Sequence, residues 1–122
     1  MAAVLIVDDD NAFRSVISTL FESDGGFDAC VAAGNGAEAL DRVKEVSPNL
    51  AVVDLSIPGM NGLQLAQELR AIAPKLPIFL LTADCDAHTE KEALAIGVTA
   101  VFSKFDDLAT LVDNARAACG LE

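Results

Sequence analysis

Short apolar runs punctuate the chain at fairly even intervals, at 4–7, 27–32, 50–53, 78–81 and 99–102. Each has the length of a strand and is rich in Val, Ile, Leu, Ala and Phe. The runs stay largely apolar at consecutive positions where a half-exposed strand would alternate. That is the pattern of a parallel sheet covered on both faces, so the spacing predicts five central strands. Between the runs the period changes to that of a helix. Phe13, Val16, Ile17, Leu20 and Phe21 fall on one face, and Leu108, Leu111, Val112, Ala115 and Cys119 repeat the arrangement near the end, so both stripes are expected to be buried. Weaker helical stretches run over 36–46, 62–72 and 86–96. Asp10, Asn35, Asn61 and either Asp106 or Asp107 stand where N-caps belong, and Gly97 stands where a helix should stop.

Five strand-then-helix units in sequence predict an α/β fold. We expect a single doubly wound parallel sheet with right-handed crossovers and helices on both faces, forming one domain over residues 1–122. Ligands of such sheets bind beyond the carboxyl ends of the strands. Those ends are where the chemistry gathers. Asp8, Asp9 and Asp10 follow the first run, Asp54 the third, Thr82 the fourth, and Ser103 and Lys104 the fifth. If the first and third strands are neighbours, Asp8, Asp9 and Asp54 converge. Two carboxylates about 4 Å apart repel by about 4 kcal/mol at a typical effective dielectric, so a positive group is required there. Lys104 is one. An all-oxygen site with few protein ligands also suits Mg2+, which keeps much of its hydration.

Composition narrows the picture. The 122 residues carry 8 basic and 19 acidic side chains, a net charge of −11. With no run of Lys or Arg, this argues against nucleic acid or an anionic membrane as the direct partner. No apolar run approaches a membrane span and no basic leader precedes an apolar one, so a cytoplasmic protein is expected. Cys30, Cys85 and Cys119 form no metal-binding or disulfide pattern, and Cys85 reads as inert. His88, beside Thr89 and Glu90, reads as solvent-exposed. A carboxylate nucleophile, a metal, a lysine and a nearby hydroxyl are the parts of a phosphoryl-transfer site, and Asp54 is its expected nucleophile. Asp54 ends a strand alone and precedes a Pro/Gly-rich loop whose backbone can approach a ligand closely.

The elements Val-Leu-Ile-Val-Asp8-Asp9-Asp10, Val-Val-Asp54-Leu-Ser-Ile-Pro58-Gly-Met-Asn-Gly62, Leu-Leu-Thr82-Ala83 and Phe-Ser-Lys104 resemble, in order and spacing, the signatures of response-regulator receiver domains of the chemotaxis-regulator type. Four short motifs in register are far more specific than any one alone. The resemblance implies a flavodoxin-like sheet of order 2-1-3-4-5 and a signalling domain in place of an enzyme. Asp54 would accept a phosphoryl group from the phosphohistidine of a histidine kinase or phosphotransfer protein. Asp9, Asp54, the Ser56 carbonyl and, through water, Asp8 would bind Mg2+. Lys104 would pair with the phosphoryl group, and Thr82 and the Ala83 amide would hydrogen-bond it. Ser56 and Asp84 hold positions thought to tune phosphate lifetime, and the 86–119 face would carry docking or homodimerisation.

Two positions depart from the family. Phe105 follows Lys104 where Pro is frequent, so a trans bond and an altered loop are expected. Val101 occupies the switch position usually held by Tyr or Phe. Phe102 lies next to it, but neighbouring strand residues face opposite ways. These departures keep open a degenerate receiver that acts as a phosphorylation-independent interaction module. Asp8-Asp9-Asp10 after an apolar strand also resembles the nucleophile motif of haloacid-dehalogenase-type phosphatases, with Thr82, Lys104 and Asp106–Asp107 as its later motifs. That reading leaves the Asp54 loop unexplained.

Overall fold

The computed structural model describes residues 2–84, 86–105 and 108–121. Strands β1 (Ala2–Val7), β2 (Phe27–Ala33), β3 (Leu50–Asp54), β4 (Ile78–Thr82) and β5 (Ala100–Ser103) alternate with helices α1 (Asn11–Asp24), α2 (Gly36–Val46), α3 (Gly62–Ile72), α4 (Ala87–Ala95) and α5 (Leu108–Ala118). The strands form one parallel sheet in the order β2-β1-β3-β4-β5, as the five repeated units predict. No helix among the described residues is long and apolar enough to cross a membrane.

The helices begin where the caps predict. The Asp10 carboxylate accepts from the Ala12 and Phe13 amides, Asn35 accepts from Glu38, and Asn61 forms a reciprocal capping box with Gln64. Asp86 caps α4 by accepting from Thr89, and Gly97 follows the helix with φ 101°. The expectation for Asp106 or Asp107 and that for Cys85 fall outside the described residues.

Successive strand residues feed two cores. Val4, Ile6, Val52, Phe79, Leu81 and Phe102 pack with Ile17 and Phe21 of α1 and Leu111 and Ala115 of α5. Leu5, Val7, Val53, Leu80 and, half-buried, Val101 pack on the opposite face with α2, α3 and α4. The three middle strands are buried throughout β3 and β4 and nearly so in β1, which is why they read as unbroken apolar runs.

Two expectations fail. The five strands are not all central: β2 and β5 are the edge strands, and β2 exposes Asp28, Ala29 and Ala32, a polar interruption that blunts a free edge. The stripe of α1 is also narrower than expected. Ile17 and Phe21 are buried, but Val16 is half-exposed, because a helix that crosses a flat sheet face presents only a narrow line of contact.

Gly62 ties α3 to the end of β3. Its amide donates to the Leu55 carbonyl, and a Cβ there would lie 2.6 Å from the Asp54 carbonyl oxygen and 2.8 Å from Leu55 Cα. Backbone cannot yield as a flexible side chain does. Gly62→Ala, which would be neutral or helpful at an open helix start, is therefore expected to cost about 1–3 kcal/mol. Urea denaturation should show this as a lower midpoint with an unchanged slope.

Candidate functional site

Strand register brings the site together. Val7 pairs with Val53, Asp54 with Leu81 and Thr82 with Ser103. Asp8 therefore emerges beside Asp54, and Lys104 leaves β5 just beyond Thr82, with its amide donating to the Thr82 carbonyl. Side-chain alternation adds a second condition. Asp8 is in phase with Val4 and Ile6, Asp54 with Leu50 and Val52, and Lys104 with Phe102, so all three lie in phase with the sheet face that packs on α1 and α5. Thr82 is in phase with Leu80 and lies toward the other face, as Val101 does.

Asp8 and Asp54 are only 2% and 4% exposed. The Lys104 ammonium stands 2.8 Å from Asp8 Oδ2 and donates to Asp54 Oδ2 at 3.2 Å. Burial, and next the charge of Asp8, push the Asp54 carboxyl above its ordinary value, while the Lys104 hydrogen bond and charge pull it back. For Lys104, burial alone would favour the neutral amine. Its close contacts with Asp8 and Asp54, and the charges of both, outweigh it and raise its pKa.

One oxygen of Asp8 accepts from the Asp10 amide. The other, Oδ2, is buried and accepts no well-formed hydrogen bond despite its nearness to Lys104. Asp8, Asp9 and Asp54 each offer a carboxylate oxygen within 4.8 Å of the other two. An under-satisfied buried oxygen among three such donors, one of them exposed, fits a small hard cation with room for water.

The remaining predicted residues surround this cluster. Thr82 is buried and exchanges contacts with Asp84, its Oγ1 accepting from the Asp84 amide at 3.3 Å. Ser56 and Ala83 are exposed on the loops after β3 and β4, and a Ser56 backbone hydrogen bond helps to stabilise the Asp54 carboxylate. Val101 lies half-buried against the α3–α4 side, whereas the Phe102 ring packs against Phe79 on the other side at 4.9 Å, so Phe102 does not take the place of the missing aromatic. Phe105 is 70% exposed, and no cis peptide bond occurs among the described residues. His88 is exposed. Cys30 and Cys119 are free thiols, and burial pushes both upward, Cys30 to about 11 with help from Glu22.

Two neighbours of the site escape a reading of the sequence. Arg14 donates to the Asp8 carbonyl at 2.6 Å and to Asn11 at 2.9 Å, pinning the acidic loop to the first turn of α1. Phe13, which the spacing assigns to the core, carries Lys104 Nζ over its ring, 4.4 Å from the centroid. The only hint in the sequence is that both lie within a turn of the acidic loop.

Residues 4–116 match the response regulator receiver domain family. The chain is 37% identical over 117 residues to a Pseudomonas aeruginosa protein named as a transcriptional regulator, covering 96% of this chain and 56% of that one. It is 32% identical over 119 residues to protein-glutamate methylesterase/protein-glutamine glutaminase 3 of Paramagnetospirillum magneticum, covering 93% of this chain and 33% of that one. The chain thus spans about half or less of these relatives. The receiver domain of the Francisella response regulator 1452 superposes with a TM-score of 0.90 over 98% of both chains, at 26% identity.

The buried Asp54 charge opposes folding, so Asp54→Asn is expected to raise the Tm by a few degrees in metal-free buffer. Because the folded pKa is raised, the cost is full above that pKa. It fades as pH falls through the folded pKa toward the ordinary carboxylate value. The advantage of Asp54→Asn should therefore shrink in acid, as thermal melts across pH will show.

Proposed function

The chain belongs to the response regulator receiver domain family, and on that premise we propose that it is the phosphoacceptor of a phosphorelay, with Asp54 as the residue phosphorylated. The observation that carries this reading is the convergence of Asp8, Asp54 and Lys104 at the carboxyl ends of β1, β3 and β5, with β4 lying between the last two. A carboxylate oxygen of Asp54 attacks phosphorus, and the phosphorus–nitrogen bond of a phosphohistidine on a histidine kinase or phosphotransfer protein breaks. A phosphorus–oxygen bond forms, and the imidazole leaves with the electron pair.

Asp8, Asp9, Asp54 and the Ser56 carbonyl are the proposed holders of Mg2+. Bound there, the ion supplies positive charge to the phosphoryl oxygens. Lys104 pairs with a phosphoryl oxygen once Asp54 gives up its free carboxylate. Burial of Asp54 excludes competing water from the attack, and Thr82 Oγ1, with the Ala83 amide, turns from Asp84 to the phosphoryl group. The 86–119 face then docks a partner or a second copy of the chain. The reading of these residues as a haloacid-dehalogenase-type phosphatase has no counterpart in the family match, and Asp106 and Asp107 lie outside the described residues. A second reading, a phosphorylation-independent interaction module, is favoured by one observation, the aliphatic Val101 at the switch position.

Incubation with acetyl phosphate and Mg2+ is expected to add one phosphoryl group to the intact mass. The addition should disappear in Asp54→Asn and fall at least tenfold with EDTA or in Asp9→Asn. No mass increase in the wild type would favour the interaction module. Beryllofluoride is expected to change hydrogen-exchange protection over residues 86–119, and identical protection with and without it would remove the docking switch from that face.

A further inference from the structure

We propose that Phe13 is a positioning residue whose ring seats the Lys104 ammonium beside Asp54, an inference that rests on the phosphoacceptor reading of that site. Among the described residues, Lys104 Nζ has three charged or aromatic neighbours: Asp8 Oδ2 at 2.8 Å, Asp54 Oδ2 at 3.2 Å and the Phe13 ring centroid at 4.4 Å. A cation within about 6 Å of a ring centroid is drawn to the ring's negative face, more strongly where water is excluded, and the Lys104 side chain is only 12% exposed.

The three contacts differ in permanence. Phosphorylation converts the Asp54 carboxylate to a mixed anhydride, and a cation in the acidic cluster competes with Lys104 for Asp8. The ring alone keeps its charge distribution through both events. It is also well anchored. Phe13 is the third residue of α1, where its amide donates to the Asp10 cap, and its side chain packs half-buried against the core that holds Ile17 and Phe21. Next to Lys104, the main-chain amide donates a hydrogen bond to the Thr82 carbonyl, and the following residue is Phe105, 70% exposed, with no ring closure to fix its φ. A four-carbon side chain leaving such a loop needs a lateral support, and Phe13 supplies it.

The sequence reading is that Phe13 is one more residue of a buried stripe, in which case Leu should replace it with no effect on chemistry. The two accounts separate in measurement. We expect the Lys104 Hε protons of the wild type to resonate upfield of their random-coil position, shifted by the ring current. Phe13→Leu should abolish that shift and slow phosphorylation by acetyl phosphate about fivefold, with the Mg2+ affinity unchanged. Phe13→Tyr, which keeps the ring, should restore both the shift and the rate. Wild-type Lys104 protons at the random-coil position overturn the proposal without any variant, even if Phe13→Leu folds poorly. A phosphorylated wild type matched in rate by Phe13→Leu overturns the role of Phe13 alone. A wild type that takes up no phosphoryl group overturns the phosphoacceptor reading and this role with it.

Discussion

Two buried carboxylates held by one ammonium set the terms for this structure. Asp8 and Asp54 lie side by side because β1 and β3 are paired in register, and each would be costly alone in so dry a place. Lys104 arrives from β5, two strands away, to offset them. The arrangement therefore depends on the whole sheet order: β3 must sit between β1 and β4, and β5 must end close enough for its lysine to reach back. Compensation is partial. The Asp54 carboxyl remains disfavoured as an anion, and Asp8 Oδ2 lacks a well-formed hydrogen bond. A site left short of positive charge is one that gains from binding a cation or an electrophilic phosphoryl group.

Around this cluster the fold spends rigidity unevenly. The acidic loop is fastened by the Asp10 cap, the Asp10 amide on Asp8 and Arg14 on the Asp8 carbonyl. The β3–α3 turn is fastened by Gly62 against the backbone of Asp54 and Leu55. By contrast α4 buries only Ala93 within the helix. Arg70 of α3 reaches across to the Gly97 carbonyl at 2.7 Å and holds the turn that follows. Firm loops on the side of the acidic cluster and a lightly packed helix on the other leave α4 freer to open locally than the loops around Asp8 and Asp54.

Much of this was legible in the sequence, for identifiable reasons. The bounds of α2 and α3 follow from Asn35 and Asn61, whose side chains cap them, and from the small residues placed just inside. The polar site was legible because each of its groups ends an apolar run, so that a one-dimensional pattern marks a three-dimensional edge. What stayed hidden depends on side-chain reach. Phe13 has the spacing of a core residue, and nothing in its neighbours reveals that a lysine from the far end of the chain crosses its ring. Val16 obeys the helical period yet stays half-exposed, since the period fixes which residues share a face and leaves open how wide a strip the sheet will cover. The edge position of β2 was written in Asp28, a single charge easily lost among apolar neighbours.

The alternation that puts Asp54 and Lys104 in phase with one face of the sheet and Thr82 and Val101 with the other makes the sheet a partition between two kinds of work. Substitutions that reshape the α4 side, such as an aliphatic residue at 101, need not disturb the carboxylates and the ammonium behind it. A change on one side of the sheet can therefore leave the other in place, and Thr82, which follows the acidic cluster's edge but lies in phase with the opposite face, borders both.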